Sequence, residues 1–334
     1  MKKCAYCGEI LGSPWHVKTD EHIIPDSLLK LYPEQDISIH NTLRFVDNRG
    51  QTISDVCSSC NNGVLSELDS YGKQFIESSF YIPYKFSDYY SPFDITLNPE
   101  LFVRWILKIA YNSLRCDKQD CCYINECIPY IMGKSSSYPK NVSLFLGIHI
   151  NLNPIPEECF AFTPLQITYS PQFFLNSYMR VEKGEKLERF VLMKAGQVIS
   201  MRIANAVVLL VLWKSDVSDE YKKEMITDLQ DDFRFRLIEP DINRYSVRCV
   251  SSPTNVMLAN YAHFYSETAV LEIIALIRES LQGRDIEACL EKITKIWTPE
   301  ISRQGRAFVE AAEFPNNKKK QKILDDLIYL NKKE

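Results

Sequence analysis

The sequence predicts an α+β chain in three parts. A small module stapled by paired cysteines covers residues 1–80, a helical connector covers 81–140, and a larger α+β domain covers 141–334. Three observations predict this. Two C-x-x-C pairs, Cys4/Cys7 and Cys57/Cys60, bracket a polar, turn-rich N-terminal stretch. A 3.6-residue apolar period then sets in over 98–115. From about 141 to 250 the pattern is that of short strands in a mainly antiparallel sheet, and the tail returns to helical periodicity.

The first part follows from the cysteines. A C-x-x-C pair lets two thiolates reach one ion at about 2.3 Å, and two pairs close a tetrahedral zinc site. Gly8, directly after Cys7, suits the turn that follows a knuckle's second ligand. So short and polar a stretch has little core of its own, and structural zinc supplies roughly 10–16 kcal/mol. Cys4, Cys7, Cys57 and Cys60 are therefore the expected structural zinc ligands. A second group, Cys116, Cys121, Cys122 and Cys127, lacks the paired spacing and is expected to be free buried thiols. Cys159, Cys249 and Cys289 read as small core residues.

In the connector, Phe102, Trp105, Ile106, Ile109 and Ser113 share one helical face, and Pro99 sits where a helix can start. Arg104, Lys108 and Arg115 fall on one side, opposite that apolar face. They are candidate contacts for nucleic-acid phosphates, or an ordinary solvated face.

In the third part, strands are expected at 142–150, 159–169, 187–194, 198–203, 206–213, 233–238 and 245–250. Lys194-Ala195-Gly196-Gln197 reads as a hairpin turn. The unbroken AVVLLVLW of 206–213 predicts a strand buried on both faces. Ser266 and Asp285 can cap two amphipathic helices, the first ending at Gly283, and a short helix can follow near 318–330.

Hydrophobic content of 46% and charged content of 25% are ordinary for a globular protein. A net charge of −4 argues against coating nucleic acid through bulk charge. The lysines at 318, 319, 320 and 322 read as a tail. The opening Met1-Lys2-Lys3-Cys4 shows no leader pattern, and eight apolar residues are too few to span a bilayer. A cytoplasmic location without membrane contact is expected. There is no Walker loop, dinucleotide fingerprint or nucleophile elbow.

The chemistry lies between the knuckles. Glu21 and His22 are adjacent, and Asn61 follows the fourth cysteine. Zinc would tie residue 60 back to residue 7, bringing Asn61 near the acid and the imidazole. A carboxylate and an amide oxygen are hard ligands suited to Mg²⁺ or Mn²⁺. A neutral histidine titrating near physiological pH can take a proton from an attacking water. His16 and His40 share the module and read as solvated loop residues, while His149 and His263 fit core or surface roles.

The quoted residues CAYC, EHIIP and DVCSSCNNGVLSELD resemble the zinc-stapled HNH (His-Me finger, ββα-metal) endonucleases, in the endonuclease VII-like arrangement. The resemblance covers residues 4 to about 72. It implies His22 as general base, Glu21 and Asn61 as ligands of a catalytic divalent ion, and a helix after Asn61 with Leu65 and Leu68 inward. It further implies hydrolysis of DNA to a 3′ hydroxyl and a 5′ phosphate. Nothing in the sequence reads a 2′ hydroxyl, so RNA stays open as substrate. Glu21 stands where many members carry Asp, and Asn41 and Asn48 are both candidates for the asparagine that orients the histidine. The C-terminal domain is expected to select substrate, sense a signal or form a homo-oligomer, in a setting of antiviral defence or restriction. The rival expectation is a non-catalytic zinc module that binds nucleic acid or protein.

Overall fold

The computed structural model describes residues 2–31, 52–80, 91–149, 192, 194–231 and 233–250, together with the strand backbones at 37–40, 42–45, 165–169, 177–182 and 185–190. The expected tail helices, the lysine run, Cys159, Cys289, His263, Asn41 and Asn48 lie outside the described residues.

The chain is mixed α and β with antiparallel sheets. β1 (Lys18–His22) pairs with β4 (Thr52–Cys57), setting Glu21 opposite Ile53 and His22 opposite Thr52, with a bulge between Thr19 and Glu21. Between them β2 (Ile37–His40) and β3 (Thr42–Phe45) form a hairpin. After β4 a helical turn carries Cys60 and Asn61, kinks at Gly63, and enters helix α1 (Ser66–Ser79). Leu65 and Leu68 are buried in the core that α1 shares with the connector helix.

The connector helix is α2 (Pro99–Cys116). Its start is set by Asn98, whose side chain accepts from the Leu101 N–H, and by Pro99 in the first turn. The sequence predicts an amphipathic helix here, but Phe102, Val103 and the whole of 105–114 are buried. One face meets α1, where Phe75 packs edge-on to Phe102 with ring centroids 5.1 Å apart and Gly72 admits the indole of Trp105. Other residues of α2 belong to the same apolar cluster as Leu144, Leu210 and Leu212 of the large sheet. A helix buried all round holds its polar residues inside, and they must find partners there.

The large sheet runs β12-β6-β11-β10-β7 and is antiparallel throughout. Its strands are β6 (Val142–Ile148), β7 (Leu165–Tyr169), β10 (Ala195–Ile203), β11 (Ala206–Trp213) and β12 (Arg236–Leu237). The central β11 is buried at all eight positions. Its even-numbered residues, Ala206 to Leu212, join the α2 side of the core. Val207, Leu209, Val211 and Trp213 join a second cluster with Met225 and Leu229 of helix α3 (Asp219–Asp231). The period of two thus sends alternate side chains into two cores. A separate pair joins β5 (Phe93–Thr96) to β13 (Arg244–Val247), and β8 (Ser177–Glu182) pairs with β9 (Glu185–Phe190).

The hairpin turn expected at 194–197 is overturned. Ala195 already belongs to β10, paired with Trp213, and the register shifts between Ala195 and Gln197. The glycine there marks a bulge and a close approach, since a Cβ on Gly196 would lie 2.7 Å from the Tyr123 ring. The β10–β11 turn is instead Ala204-Asn205, with Ala204 in the left-handed region at φ 54°.

Candidate metal centre and adjoining acid-histidine site

The four early cysteines come together: the sulfurs of Cys4, Cys7, Cys57 and Cys60 all lie within 4.8 Å of one another. The Cys7 and Cys57 sulfurs are 3.7 Å apart, close to the ~3.8 Å edge of a tetrahedron with ~2.3 Å arms. The first knuckle is shaped by the Gly8 N–H donating to the Cys4 carbonyl at 2.9 Å, with Gly8 at φ +79°. The second is joined to the loop before β1 by the Ser58 N–H donating to Val17 at 2.8 Å. These four sulfurs fit a structural metal such as zinc.

Their electrostatics call for a cation. Burial, joined by the neighbouring cysteines, pushes the Cys60 thiol up. Cys7 also rises, through burial first. Cys4 feels the same burial, yet backbone N–H groups of Cys7, Cys57 and Tyr6 bring it down to about 7. His16 is not a solvated loop residue: it is half-buried, with Nδ1 3.4 Å from the Cys57 sulfur. Among the described residues this is the only such ligand cluster. Cys116, Cys121, Cys122 and Cys127 form none, and of them only Cys127 is buried.

Asn61 reaches β1 one and two residues before the Glu21-His22 pair. Its Nδ2 donates to Thr19 Oγ1 and to the Asp20 carbonyl, both at 3.1 Å. The staple thus puts the residue after the last cysteine on the strand that carries the acid and the histidine.

Glu21 is only 4% exposed and turns into the core toward α2. Its Oε1 lies 2.5 Å from Lys108 Nζ and accepts from Asn112 Nδ2 at 3.3 Å. The same two donors reach the His22 carbonyl, at 3.4 and 3.3 Å. Neighbouring side chains of a strand leave on opposite faces, and His22, half-buried, follows the buried Glu21. What links Asn61 to the acid-histidine pair is therefore the strand itself, gripped from behind by one face of α2.

That grip overturns the solvent-facing basic stripe. Lys108 is fully buried, held by Glu21 and by Asp69 of α1 at 2.8 and 2.9 Å. Burial alone would lower its pKa, but the Asp69 and Glu21 carboxylates raise it. Asp69 is raised by burial against the opposing pull of Lys108. Arg115 donates to Asp55 Oδ1 and Asn112 Oδ1, each at 2.7 Å, and lies over the Tyr111 and Tyr6 rings. Tyr6 donates to the same Asn112 Oδ1 at 2.5 Å, and burial pushes its own pKa up. Arg104 donates to Glu100 and to the Ile131 carbonyl. The physical reason is the all-round burial of α2, which turns its cations inward.

Sequence reasoning missed Lys108, Asn112 and Asp69 as partners of the acid-histidine pair. A signal was present: a lysine and an asparagine four apart inside an otherwise apolar helical run. No protein-family model, no curated protein and no solved structure matches the chain. Among the described residues no helix is long and apolar enough to cross a membrane.

Proposed function

We propose that the chain is a metal-dependent HNH-type endonuclease that hydrolyses phosphodiester bonds of DNA. The observation that carries this reading is Asn61. With its amide nitrogen committed to Thr19 and Asp20, the carbonyl oxygen is the end left to act as a hard ligand. Glu21 would supply the second oxygen: Lys108 and Asn112 of α2 both meet its Oε1, so Oε2 is the atom it would offer. A bound Mg²⁺ or Mn²⁺ would stabilise charge developing on the phosphate and on the leaving oxygen.

The chain's own residues do the rest. His22 as a neutral imidazole takes a proton from water as the water oxygen bonds to phosphorus. The bond from phosphorus to the 3′ oxygen breaks, leaving a 5′ phosphate and, once that oxygen takes up a proton, a 3′ hydroxyl. Lys108 and Asn112 hold the strand so that acid and base keep their relative places. The zinc staple holds Asn61 to the same strand. Substrate choice, sensing or self-association would fall to the C-terminal part, and restriction or antiviral defence is a setting in which such a combination serves.

The burial of Glu21 in an ion pair favours a second reading, a non-catalytic zinc module that binds nucleic acid or protein. Trp15, 81% exposed beside the second knuckle, is an anchor such a module could use. Plasmid DNA and a single-stranded RNA, each incubated with Mg²⁺, Mn²⁺ or EDTA, separate the two. Cleavage that needs the ion and is lost in His22→Ala supports the nuclease. Binding without cleavage, equal in both proteins under every ion, supports the module.

A further inference from the structure

We propose that Lys108 is a positioning residue of the divalent-ion site, fixing Glu21 so that one carboxylate oxygen alone is offered to the ion. This rests on the nuclease reading. The ammonium lies fully buried between two carboxylates, 2.5 Å from Glu21 Oε1 and 2.8 and 2.9 Å from the oxygens of Asp69. It also donates to the His22 carbonyl at 3.4 Å, so one cation touches both members of the acid-histidine pair from the side facing the core.

Two features set this apart from an ordinary core ion pair. First, the grip is doubled. Asn112, one turn along α2, donates to the same Glu21 oxygen and the same His22 carbonyl. Two donors converging on the same two acceptors remove the freedom of Glu21 to rotate or to bind an ion through both oxygens. Asn112 is itself fixed, since its Oδ1 accepts from Tyr6 and Arg115.

Second, the charges do not cancel. One ammonium faces two carboxylates, so with both of them ionised one negative charge is left over in the group among the described residues. A buried pair built only for stability would tend toward neutrality, because residual charge in a poorly solvated place is costly. The excess attracts a divalent cation, while the ammonium limits how strongly the acids can hold it.

The test uses the full-length, zinc-loaded protein and Mn²⁺ as probe, with free Mn²⁺ followed by electron paramagnetic resonance. Lys108→Met keeps the aliphatic stem and removes the charge. Expected are an unchanged zinc content, Mn²⁺ binding tighter by about tenfold, and plasmid cleavage at saturating Mn²⁺ slower by about a hundredfold. A merely structural lysine would not move affinity and rate in opposite directions. Asp69→Asn is the second variant, needed should Lys108→Met fail to fold. It leaves Lys108 and Glu21 to neutralise one another, and Mn²⁺ binding weakens by about tenfold. Wild-type Mn²⁺ affinity in folded Lys108→Met, or in Asp69→Asn, overturns the proposal. If in addition Glu21→Gln abolishes Mn²⁺ binding, only the role of Lys108 falls. A wild-type protein that binds no Mn²⁺ sinks the nuclease reading and this one together.

Discussion

Gly72→Ala is the substitution whose sign tests the packing that holds the site. In a solvated helix the change would stabilise by about 1 kcal/mol, because alanine loses less backbone entropy on folding. Here the added Cβ would lie 2.0 Å from Trp105 Cε2 and 2.4 and 2.5 Å from two further indole carbons. Ordinary carbon contacts are about 3.5–4.0 Å, so α1 and α2 must part by about 1.5 Å or the buried indole must leave its rotamer. Overpacking of a well-filled core costs about 1–3 kcal/mol. With helix backbone on one side and a rigid, fully buried ring on the other, the upper end applies. After the propensity gain the net loss is about 2 kcal/mol.

Urea denaturation followed by far-ultraviolet circular dichroism measures that loss directly. In a Trp105→Leu background the clash is gone, and Gly72→Ala should stabilise by about 1 kcal/mol, giving a coupling of about 3 kcal/mol. The consequence reaches the site. Asp69 lies one turn before Gly72 and Lys108 one turn after Trp105, so parting the helices stretches their 2.8 Å ion pair. A Gly72→Ala protein about 1 kcal/mol more stable than wild type would refute the close approach of α1 to α2.

Cys57→Ser should lower bound zinc from one equivalent to none and leave the segment before α1 open to limited proteolysis, while the large sheet keeps its dichroism. Zinc affinity should fall steadily as pH is lowered from about 9 to about 6, read by competition with a chromophoric chelator. All four sulfurs bind as thiolates, and burial raises Cys7 and Cys60 while backbone N–H groups bring Cys4 down to about 7, so protons compete first for Cys7 and Cys60 and last for Cys4. Arg115→Lys should cost about 1–2 kcal/mol in denaturation, since lysine cannot serve Asp55 and Asn112 at once while stacking on Tyr111. A loss below about 0.5 kcal/mol would show that the charge alone matters there.

The sequence by itself determined what depends on neighbours along the chain. The paired cysteine spacing is a local ligand geometry, and the structure brings those four sulfurs together. Asn98 and Pro99 mark the start of α2, and AVVLLVLW is the strand with two buried faces, because caps and apolar runs act over a few residues. The tie from Asn61 to β1 also followed, once zinc was taken to join residue 60 to residue 7. Only the tertiary structure decided where the polar residues of α2 point. Helical periodicity gives their angular spacing, but not that a sheet, a second helix and β1 enclose the axis from every side. Lys108 meets the Glu21-His22 pair across 86 residues of chain, and so distant a pairing leaves no trace in local pattern. Tertiary packing likewise turned a glycine expected in a turn into a bulge against Tyr123, since a missing side chain signals tight space as readily as a reversal of the chain.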